Sequence, residues 1–175
     1  LILVFIVENE ETILLRDEIL SLLKHNSRLS IADIADQTGH SQSEIRQAIE
    51  ALTESGSIVQ YTTVVNEKKL TGIDRVRALI ELEVRPEKRD GFDGIAARIF
   101  RHDAVIDHYL ISGRYDFLVI VEAATLTDVS NFVANQLAPL DHIRAIATHF
   151  ILKRYKVNGV ALEPPRSGDR LPVSA

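Results

Sequence analysis

Residues 30–56 read SIADIADQTGHSQSEIRQAIEALTESG, and they carry the clearest signals for secondary structure in the first half of the chain. In a capping box a hydroxyl and a carboxylate satisfy free backbone N–H groups at a helix start, and two such boxes are spaced correctly here: Ser30 with Asp33, and Ser41 with Glu44. Apolar residues follow each box at helical spacing: Ile31, Ile34 and Ala35, then Ile45, Ala48, Ile49 and Leu52. We therefore predict two helices, each with one buried face, separated at Gly39.

The connection between these two helices is short, since only Gly39, His40 and Ser41 separate them. Two short helices joined by so tight a turn cross at a steep angle, which is the helix-turn-helix unit, and its second helix can lie in the major groove of DNA. Upstream, apolar residues at helical spacing predict one more helix: Leu15, Ile19, Leu22 and Leu23. After Gly56, residues 58–65 are nearly all β-branched or aromatic, which predicts the hairpin of a winged helix-turn-helix.

The second half of the chain predicts six further elements in the order strand, helix, strand, strand, helix, strand. They are a strand over 76–84, a helix with its apolar stripe over 92–99, strands over 104–111 and 115–121, a helix capped by Thr125 and Asp128, and a last strand over 143–155. This order indicates a ferredoxin-like βαββαβ domain, in which both helices cover one face of a four-stranded antiparallel sheet. The whole chain is thus predicted to be α+β, with a winged helix-turn-helix followed by a ferredoxin-like domain.

The predicted sheet has more apolar surface than two helices cover. Residues 115–121 are apolar on both faces of their strand, and so is much of the last strand. An exposed apolar face of this size is unusual on a monomer, so the second face predicts a homodimer at least.

We predict three parts in the chain: the winged helix-turn-helix over 12–66, the ferredoxin-like domain over 67–156, and a flexible tail over 157–175 that contains Gly and Pro-Pro and has no lasting period. The apolar run Leu1–Val7 predicts an extra strand or an arm before the first helix. It has seven residues, whereas a membrane helix needs about 20, so no membrane contact is expected. The chain has no Cys, which excludes disulfides and favours a cytoplasmic location.

The ordered set of motifs resembles the Lrp/AsnC transcription regulators. The first half carries Asp17-Glu18-Ile19-Leu20, Asn26-Ser27-Arg28-Leu29-Ser30, Ile34-Ala35, Gly39-x-Ser41, Ala51-Leu52 and Gly56-x-Ile58. The second half carries the family's other hallmark, Gly113-x-Tyr115-Asp116, between the middle strands. The resemblance covers about residues 12–156. It implies a regulator that binds double-stranded DNA, whose second domain dimerises, often forms larger rings, and senses a small effector, often an amino acid.

The outward face of the third helix carries the candidate DNA contacts Gln42, Ser43, Arg46 and Gln47. Arg can form two hydrogen bonds with guanine and Gln with adenine, while Ser41 and Ser43, beside the helix start, suit phosphate. Lys24 and Arg28 are expected to add contacts to the DNA backbone. The alternative for all of these side chains is an ordinary solvated helix surface.

The charge of the first half limits its attraction to DNA. Residues 1–66 contain 4 Lys and Arg but 10 Asp and Glu. Non-specific DNA affinity comes from neutralising phosphates with basic side chains, and this half has few. Either several heads act together in an oligomer, or DNA binding has been lost.

The candidate effector residues are Gly113, Arg114, Tyr115 and Asp116 in the turn between the middle strands. In this interpretation the Asp116 carboxylate pairs with the ammonium group of an amino acid, and N–H groups of the turn bind its carboxylate. The alternative is that Gly113 and Asp116 only satisfy the geometry of the hairpin.

No cofactor, metal or catalytic role is expected. His102 and His108 are predicted to point to opposite faces, and the chain shows no Ser-His-Asp arrangement, P-loop or dinucleotide fingerprint. Two alternatives to an effector-controlled DNA-binding regulator stay open at this stage. One is an effector-binding partner subunit that has lost DNA binding, which the acidic first half favours. The other is an enzyme similar to the sirohaem decarboxylases, which resemble this family in architecture.

Overall fold

The computed structural model describes residues 10–72, 74–87 and 91–163, which divide into two compact units, one up to Thr63 and one from Val64. The apolar run Leu1–Val7, predicted as a strand or an arm, lies outside the described residues. None of the helices in the described ranges has the length and apolar character needed to cross a membrane.

The first unit is the predicted three-helix unit, with α1 over Glu10–His25, α2 over Ile31–Thr38 and α3 over Gln42–Glu54. Both predicted capping boxes are formed. In each, the serine hydroxyl accepts a hydrogen bond from the backbone N–H three residues later, and the carboxylate of that later residue accepts one from the serine backbone N–H. Gly39 ends α2 at φ +75°, a left-handed conformation that suits glycine. One residue from each apolar stripe is completely buried in the shared core: Ile19, Ile34 and Ile45.

The predicted wing hairpin is wrong, because residues 58–66 are in no strand. The Ile58 N–H bonds the Leu52 carbonyl at 2.9 Å, which folds the chain back on the end of α3. Beyond it, Val59 is 90% exposed and Tyr61 is 49% exposed. Strand propensity reflects packing on a half-buried pleated surface, and no described segment pairs with this one, so β-branched residues alone do not make it a strand.

The second unit has the predicted order of elements, and its sheet is ferredoxin-like. These elements are β1 (Val76–Val84), α4 (Asp93–Ile99), β2 (Val105–Leu110), β3 (Phe117–Ala123), α5 (Leu126–Phe132) and β4 (Ile143–Phe150). The strands are antiparallel in the order β2-β3-β1-β4. The predicted α+β class and two-part architecture are therefore confirmed.

One face of this sheet packs against the two helices. Ala78, Ile80 and Leu82 of β1 lie opposite Val121, Val119 and Phe117 of β3, and all six are at most 1% exposed. They form one core with buried residues of the helical segments: Ile95, Ile99, Val129, Phe132 and Leu137. The alternation predicted for residues 76–84 is thus observed, with every second side chain from Ala78 onward buried.

The other face of the sheet, called the open face below, carries the alternate residues of the same strands. Its apolar residues include Leu79, Leu118, Ile120, Ala145 and Ala147, all partly buried, and Tyr109 of β2 lies opposite Leu118. Charged and polar residues share this face, among them Arg77, Glu81, Glu83, Glu122 and His149. The open face is therefore a small apolar centre with a polar surround.

Several predicted boundaries differ from the structure. The third strand begins at Phe117 rather than Tyr115, and the last strand ends at Phe150 rather than Tyr155. The second helix of this unit ends in a π-helical turn, Val133–Leu137, closed by a bond from the Ala138 N–H to the Val133 carbonyl.

The flexible tail predicted from Val157 is wrong for its first seven residues. Lys156–Val157 (β5) pairs with Val160–Ala161 (β6) around Asn158 and Gly159, which have φ +47° and +81°. Asn158-Gly159 is a strong sequence signal for this kind of tight hairpin turn. Asn66 donates a hydrogen bond to the Leu162 carbonyl at 2.6 Å. Residues 164–175 lie outside the described part.

Candidate functional site

Arg46 lies at the centre of the outward face of α3. Helical geometry puts Gln42, Ser43 and Glu50 within about 60° of it around the helix axis, and all four side chains are exposed. No ion pair of the Arg46 side chain is found among the described residues. An exposed guanidinium with no internal partner can form two hydrogen bonds with a base edge or a phosphate.

Gln47 lies at the edge of this outward face rather than at its centre, because it is turned about 100° from Arg46. It lines an open groove of about 370 Å³ between the first half of α1 and α3, together with Glu44, Ala48 and Ala51 of its own helix. The structure thus brings Gln42, Ser43 and Arg46 together and sets Gln47 to one side.

The Ser41 hydroxyl is already engaged at the start of α3. It donates to the Glu44 carboxylate at 2.7 Å and accepts from the Glu44 N–H at 3.3 Å. Hydrogen bonds from Ser41 lower the pKa of Glu44 below its usual value, and so, more weakly, does nearby His40. A carboxylate therefore occupies the N-terminus of α3, where the sequence analysis placed a phosphate. Ser43, by contrast, is exposed.

Lys24 and Arg28 are both exposed, near the end of α1 and in the loop that follows it. The Arg28 backbone N–H donates to Asn26 Oδ1 at 3.1 Å, which shapes this loop. Neither side chain forms an ion pair with any residue that the structure describes. Both charges are therefore available to a phosphate backbone.

The Asp116 carboxylate has a structural role in the turn between β2 and β3. Its Oδ2 accepts a hydrogen bond from the Val84 N–H at 2.7 Å, at the end of β1 where the pairing with β4 shifts register. The Asp116 N–H donates to the Leu82 carbonyl at 2.9 Å, and its own carbonyl accepts from Ile111. Asp116 therefore ties the turn to β1, and one carboxylate oxygen has no partner among the described residues.

The other predicted effector residues are in the same turn. Gly113 has φ +138°, a backbone conformation that side chains disfavour, although a Cβ there would meet no atom within 4 Å. The Arg114 guanidinium lies 5.5 Å from the centre of the Tyr115 ring, a cation–π contact. Arg114 is exposed, whereas Tyr115 and Asp116 are half-buried.

An aromatic groove of about 290 Å³ lies at the base of this turn, between α4 and the edge strand β2. We define it by Phe92, Ala96, Phe100, His108, Leu110 and Phe117. Leu110 and Phe117 are the paired residues from which the turn begins and ends. Sequence reasoning missed this groove, because the six residues are scattered over a helix and two strands and only the tertiary fold brings them together.

His108 lies on the side of the sheet that the helices cover, where Val119 is its partner in the β2–β3 pairing. Its ring contacts Phe117 edge to face, with the ring centres 4.7 Å apart. Burial lowers the pKa of His108 below its usual value. Its Nε2 is buried and has no hydrogen-bond partner within the described ranges.

The described residues contain no cluster of three or more His, Cys, Asp or Glu suited to a metal ion. His102 is 5.5 Å from Phe132, measured between ring centres, so it packs beside α5. His102 and His108 thus have separate surroundings.

Comparison with known proteins identifies both units. Residues 17–59 match the family described as winged helix-turn-helix DNA-binding, and residues 77–161 match the Lrp/AsnC ligand binding domain. The chain is 36% identical over 157 residues to YugG of Bacillus subtilis, described as an uncharacterized HTH-type transcriptional regulator. The alignment covers 90% of this chain and 95% of YugG. It is 30% identical over 142 residues to the HTH-type transcriptional regulator LrpA of Pyrococcus horikoshii, with 81% of this chain and 97% of that protein covered.

Solved structures show the same fold. Escherichia coli AsnC superposes with a TM-score of 0.64 at 24% identity, covering 82% of this chain and 93% of that one. A transcriptional regulator of Neisseria meningitidis in complex with L-Met superposes with a TM-score of 0.66 at 22% identity, covering 82% and 91%. The alternatives of an enzyme and of a subunit without DNA binding are set aside, because the relatives are transcription regulators and the first unit is a DNA-binding one. The chain is a DNA-binding transcription regulator and belongs to the Lrp/AsnC family.

Proposed function

We propose that this regulator contacts DNA through the outward face of α3 and that a small effector, an amino acid, alters its DNA affinity by binding near residues 113–116. The observation that carries the DNA contact is Arg46, an exposed guanidinium at the centre of that face, with Gln42 and Ser43 beside it towards the helix start and Glu50 one turn later. Base-edge recognition needs such a side chain near the start of a helix that enters the major groove.

The acidic first half is compatible with this role, because its charges differ in availability. Asp33 and Glu44 are bonded within their capping boxes, close to the positive ends of two helices. Lys24, Arg28 and Arg46 have no ion pair among the residues described. With few basic side chains the unit binds non-specific DNA weakly, so it depends on base contacts and on several heads binding together.

A homodimer supplies two such heads. The open face has an apolar centre that includes Leu79, Leu118 and Ile120, and a second copy would remove it from water. The surrounding charges already pair within one chain, for example His149 with Glu81 at 3.1 Å. A two-fold dimer reads a DNA site with matching two-fold symmetry, and larger assemblies would add further heads.

The effector proposal rests on the turn and on the ligand-binding family of the second unit. The turn contains an exposed cation, Arg114, and the Asp116 carboxylate with one oxygen free of described partners. These are opposite charges suited to the carboxylate and ammonium groups of an amino acid. The Neisseria meningitidis structure contains L-Met, which makes amino acids the first class to test.

The DNA contact is tested by titrating the full-length chain into a labelled duplex from upstream of its own gene and measuring fluorescence anisotropy. Arg46→Ala is expected to weaken binding about ten-fold or more, since a good base contact is worth about 1–3 kcal/mol. Arg101→Ala is the matched control, because it removes the same charge from an exposed position in the second unit. Equal affinities for the two variants would contradict the assignment of α3.

The effector role is tested by repeating the titration with each of the common amino acids at millimolar concentration. At least one is expected to change the DNA affinity about five-fold or more, which is the lower end of typical allosteric coupling. The change in affinity is expected to disappear when Arg114 and Asp116 are both replaced by Ala. If no amino acid alters the affinity, the effector proposal is wrong, while the DNA contact is judged separately by Arg46→Ala.

A further inference from the structure

The aromatic groove has features that the core packing of the second unit does not explain. Phe100 and Leu110 line it, yet they are 57% and 59% exposed. Large apolar side chains cluster in the open at positions where another molecule covers them. The cavity has a volume of about 290 Å³, just below the ~300 Å³ at which ligand pockets usually begin, so it suits a small molecule.

The polar atoms of the groove restrict the chemistry of that molecule. The His108 Nε2 lacks a hydrogen-bond partner among the described residues, and a buried polar atom without one is costly. A neutral imidazole has one donor and one acceptor nitrogen, and its ring turns about a soft two-fold torsion, so it can serve a ligand of either kind. Asp93 also lines the groove, exposed and without an ion pair in the described part, which disfavours ligands with an acidic side chain.

The groove adjoins the proposed effector turn along the chain, because two of its lining residues flank that turn. Leu110 and Phe117 form the last pair of β2 and β3 before residues 111–116. A ligand held in the groove would therefore lie next to the two strand ends from which the turn projects. An aromatic ring of the ligand packed among Phe92, Phe100 and Phe117 would cover the exposed apolar surface. One polar atom of that ring would give His108 Nε2 the hydrogen-bond partner that it lacks among the described residues.

We propose that the aromatic groove binds the side chain of an aromatic amino acid whose ring carries a hydrogen-bonding group, as in L-Tyr or L-Trp, with that group bonded to His108. This inference rests on the proposed function, since it assigns the effector class, and it adds the residues that select it. His108 discriminates rings that bear an N–H or O–H from plain rings. The phenylalanines and Leu110 discriminate large aromatic side chains from small or charged ones.

The test is isothermal titration calorimetry on the full-length chain without DNA, using L-Tyr, L-Trp, L-Phe, L-Ala and L-Glu. L-Tyr or L-Trp is expected to bind at least ten-fold more tightly than L-Phe, and L-Ala and L-Glu more weakly still. In His108→Leu the advantage over L-Phe is expected to disappear while L-Phe still binds. Tightest binding of L-Ala or L-Glu, or no binding of any aromatic amino acid, would overturn the inference.

Two further variants locate the binding. Ala96→Leu adds bulk inside the groove, and Phe100→Ala removes one wall at a position that is mostly exposed, so the fold does not depend on it. Each is expected to weaken L-Tyr or L-Trp binding ten-fold or more, with circular dichroism checking the fold. Unchanged affinity in a folded Phe100→Ala variant would place the ligand elsewhere and overturn the inference.

The anisotropy titration separates this inference from the proposed function. If L-Tyr or L-Trp binds in the groove and DNA affinity does not change, the inference stands and the effector role fails. If a different amino acid changes DNA affinity and no aromatic one binds, the proposed function stands and the inference fails.

Discussion

Ser30 and Asp33 each satisfy a backbone N–H of the other at the start of α2, over 2.9 and 3.1 Å. The hydrogen bonds from Ser30 also lower the pKa of Asp33. Ser41 and Glu44 repeat the arrangement at α3. Such local pairs form between residues three apart, so they were readable from sequence, and they position the two helices before any tertiary contact is considered.

Ser30→Ala is expected to lower the free energy of unfolding of the first unit by about 1 kcal/mol, because an N-cap hydroxyl is lost. The measurement is thermal or urea unfolding followed by circular dichroism. Ser21→Ala is the control, since Ser21 is exposed inside α1 and alanine favours helix there. A Ser30→Ala variant as stable as Ser21→Ala would show that the capping box contributes little.

His108 predicts a pH dependence of the second unit. Its pKa in the folded chain is lowered by burial from the usual 6.5, so the unfolded chain takes up the proton at higher pH than the folded chain. This stability contribution is therefore complete above about pH 6.5 and declines as the pH falls through that value towards the folded-state pKa. Below the folded-state value no more is lost.

The measurement is the free energy of unfolding in urea of the wild-type and His108→Leu chains at several pH values. These run from about 7.5 to 5.5, a range that spans the usual histidine pKa. The wild type is expected to lose more stability over this range than the variant. The other histidines are present in both chains, so their effects cancel in the comparison. Parallel stability curves would mean that His108 titrates as it does in water.

At the scale of secondary-structure elements, the turn between β2 and β3 combines a structural bond with the proposed ligand contacts. Asp116→Asn keeps an oxygen that can accept from the Val84 N–H but removes the charge. We expect its stability to stay within about 1 kcal/mol of wild type, as for a typical neutral hydrogen bond, while amino-acid binding weakens ten-fold or more.

The structural alternative for Asp116 gives a different pattern. If Asp116 only holds the turn, Asp116→Asn leaves both stability and amino-acid affinity unchanged. Asp107→Asn is the matched control, because Asp107 is an exposed carboxylate on β2 that accepts a bond from the Tyr109 hydroxyl at 3.2 Å. Asp107→Asn is expected to leave amino-acid affinity unchanged whether Asp116 binds the ligand or only holds the turn.

At the scale of the whole molecule, the open face determines the proposed assembly. Ile120→Lys places a charge in the apolar centre of the open face. It is expected to convert the proposed dimer to monomer, because burying a charge without a partner in the interface costs roughly 3–5 kcal/mol. Leu126→Lys is the control, since Leu126 is 56% exposed on α5. Light scattering reports the mass, and an Ile120→Lys chain of unchanged dimer mass would rule out this interface.

The segment that enters the second unit is fixed to the sheet by charges far apart in sequence. Glu67 bonds Arg77 at 2.7 Å and Arg154 at 2.8 Å, and its neighbour Asn66 bonds the Leu162 carbonyl. Arg77 also pairs with Glu122 on the open face. These contacts join residues up to 96 positions apart, so no reading of local spacing predicts them.

The features of this protein that depend on near neighbours in the chain could be predicted from the sequence. The capping boxes, the Gly39 turn, the apolar stripes of α1–α3 and the alternation in β1 all follow from spacings of two to four residues. Their order along the chain was enough to predict both folds and the family. The outward position of Arg46 followed from the same periodicity.

Tertiary structure decided the rest, because it depends on what each segment meets. Residues 58–66 have strand-forming side chains but no pairing partner in the described part of the chain. The segment after Val157 forms a hairpin, and Asn66 donates a hydrogen bond to the Leu162 carbonyl beyond it. The second role of Asp116, holding β1, and the groove around His108 arise from residues that meet only after the sheet and α4 pack together. Which segments pair, and which distant residues share a cavity, are properties of the assembled core that local spacing does not determine.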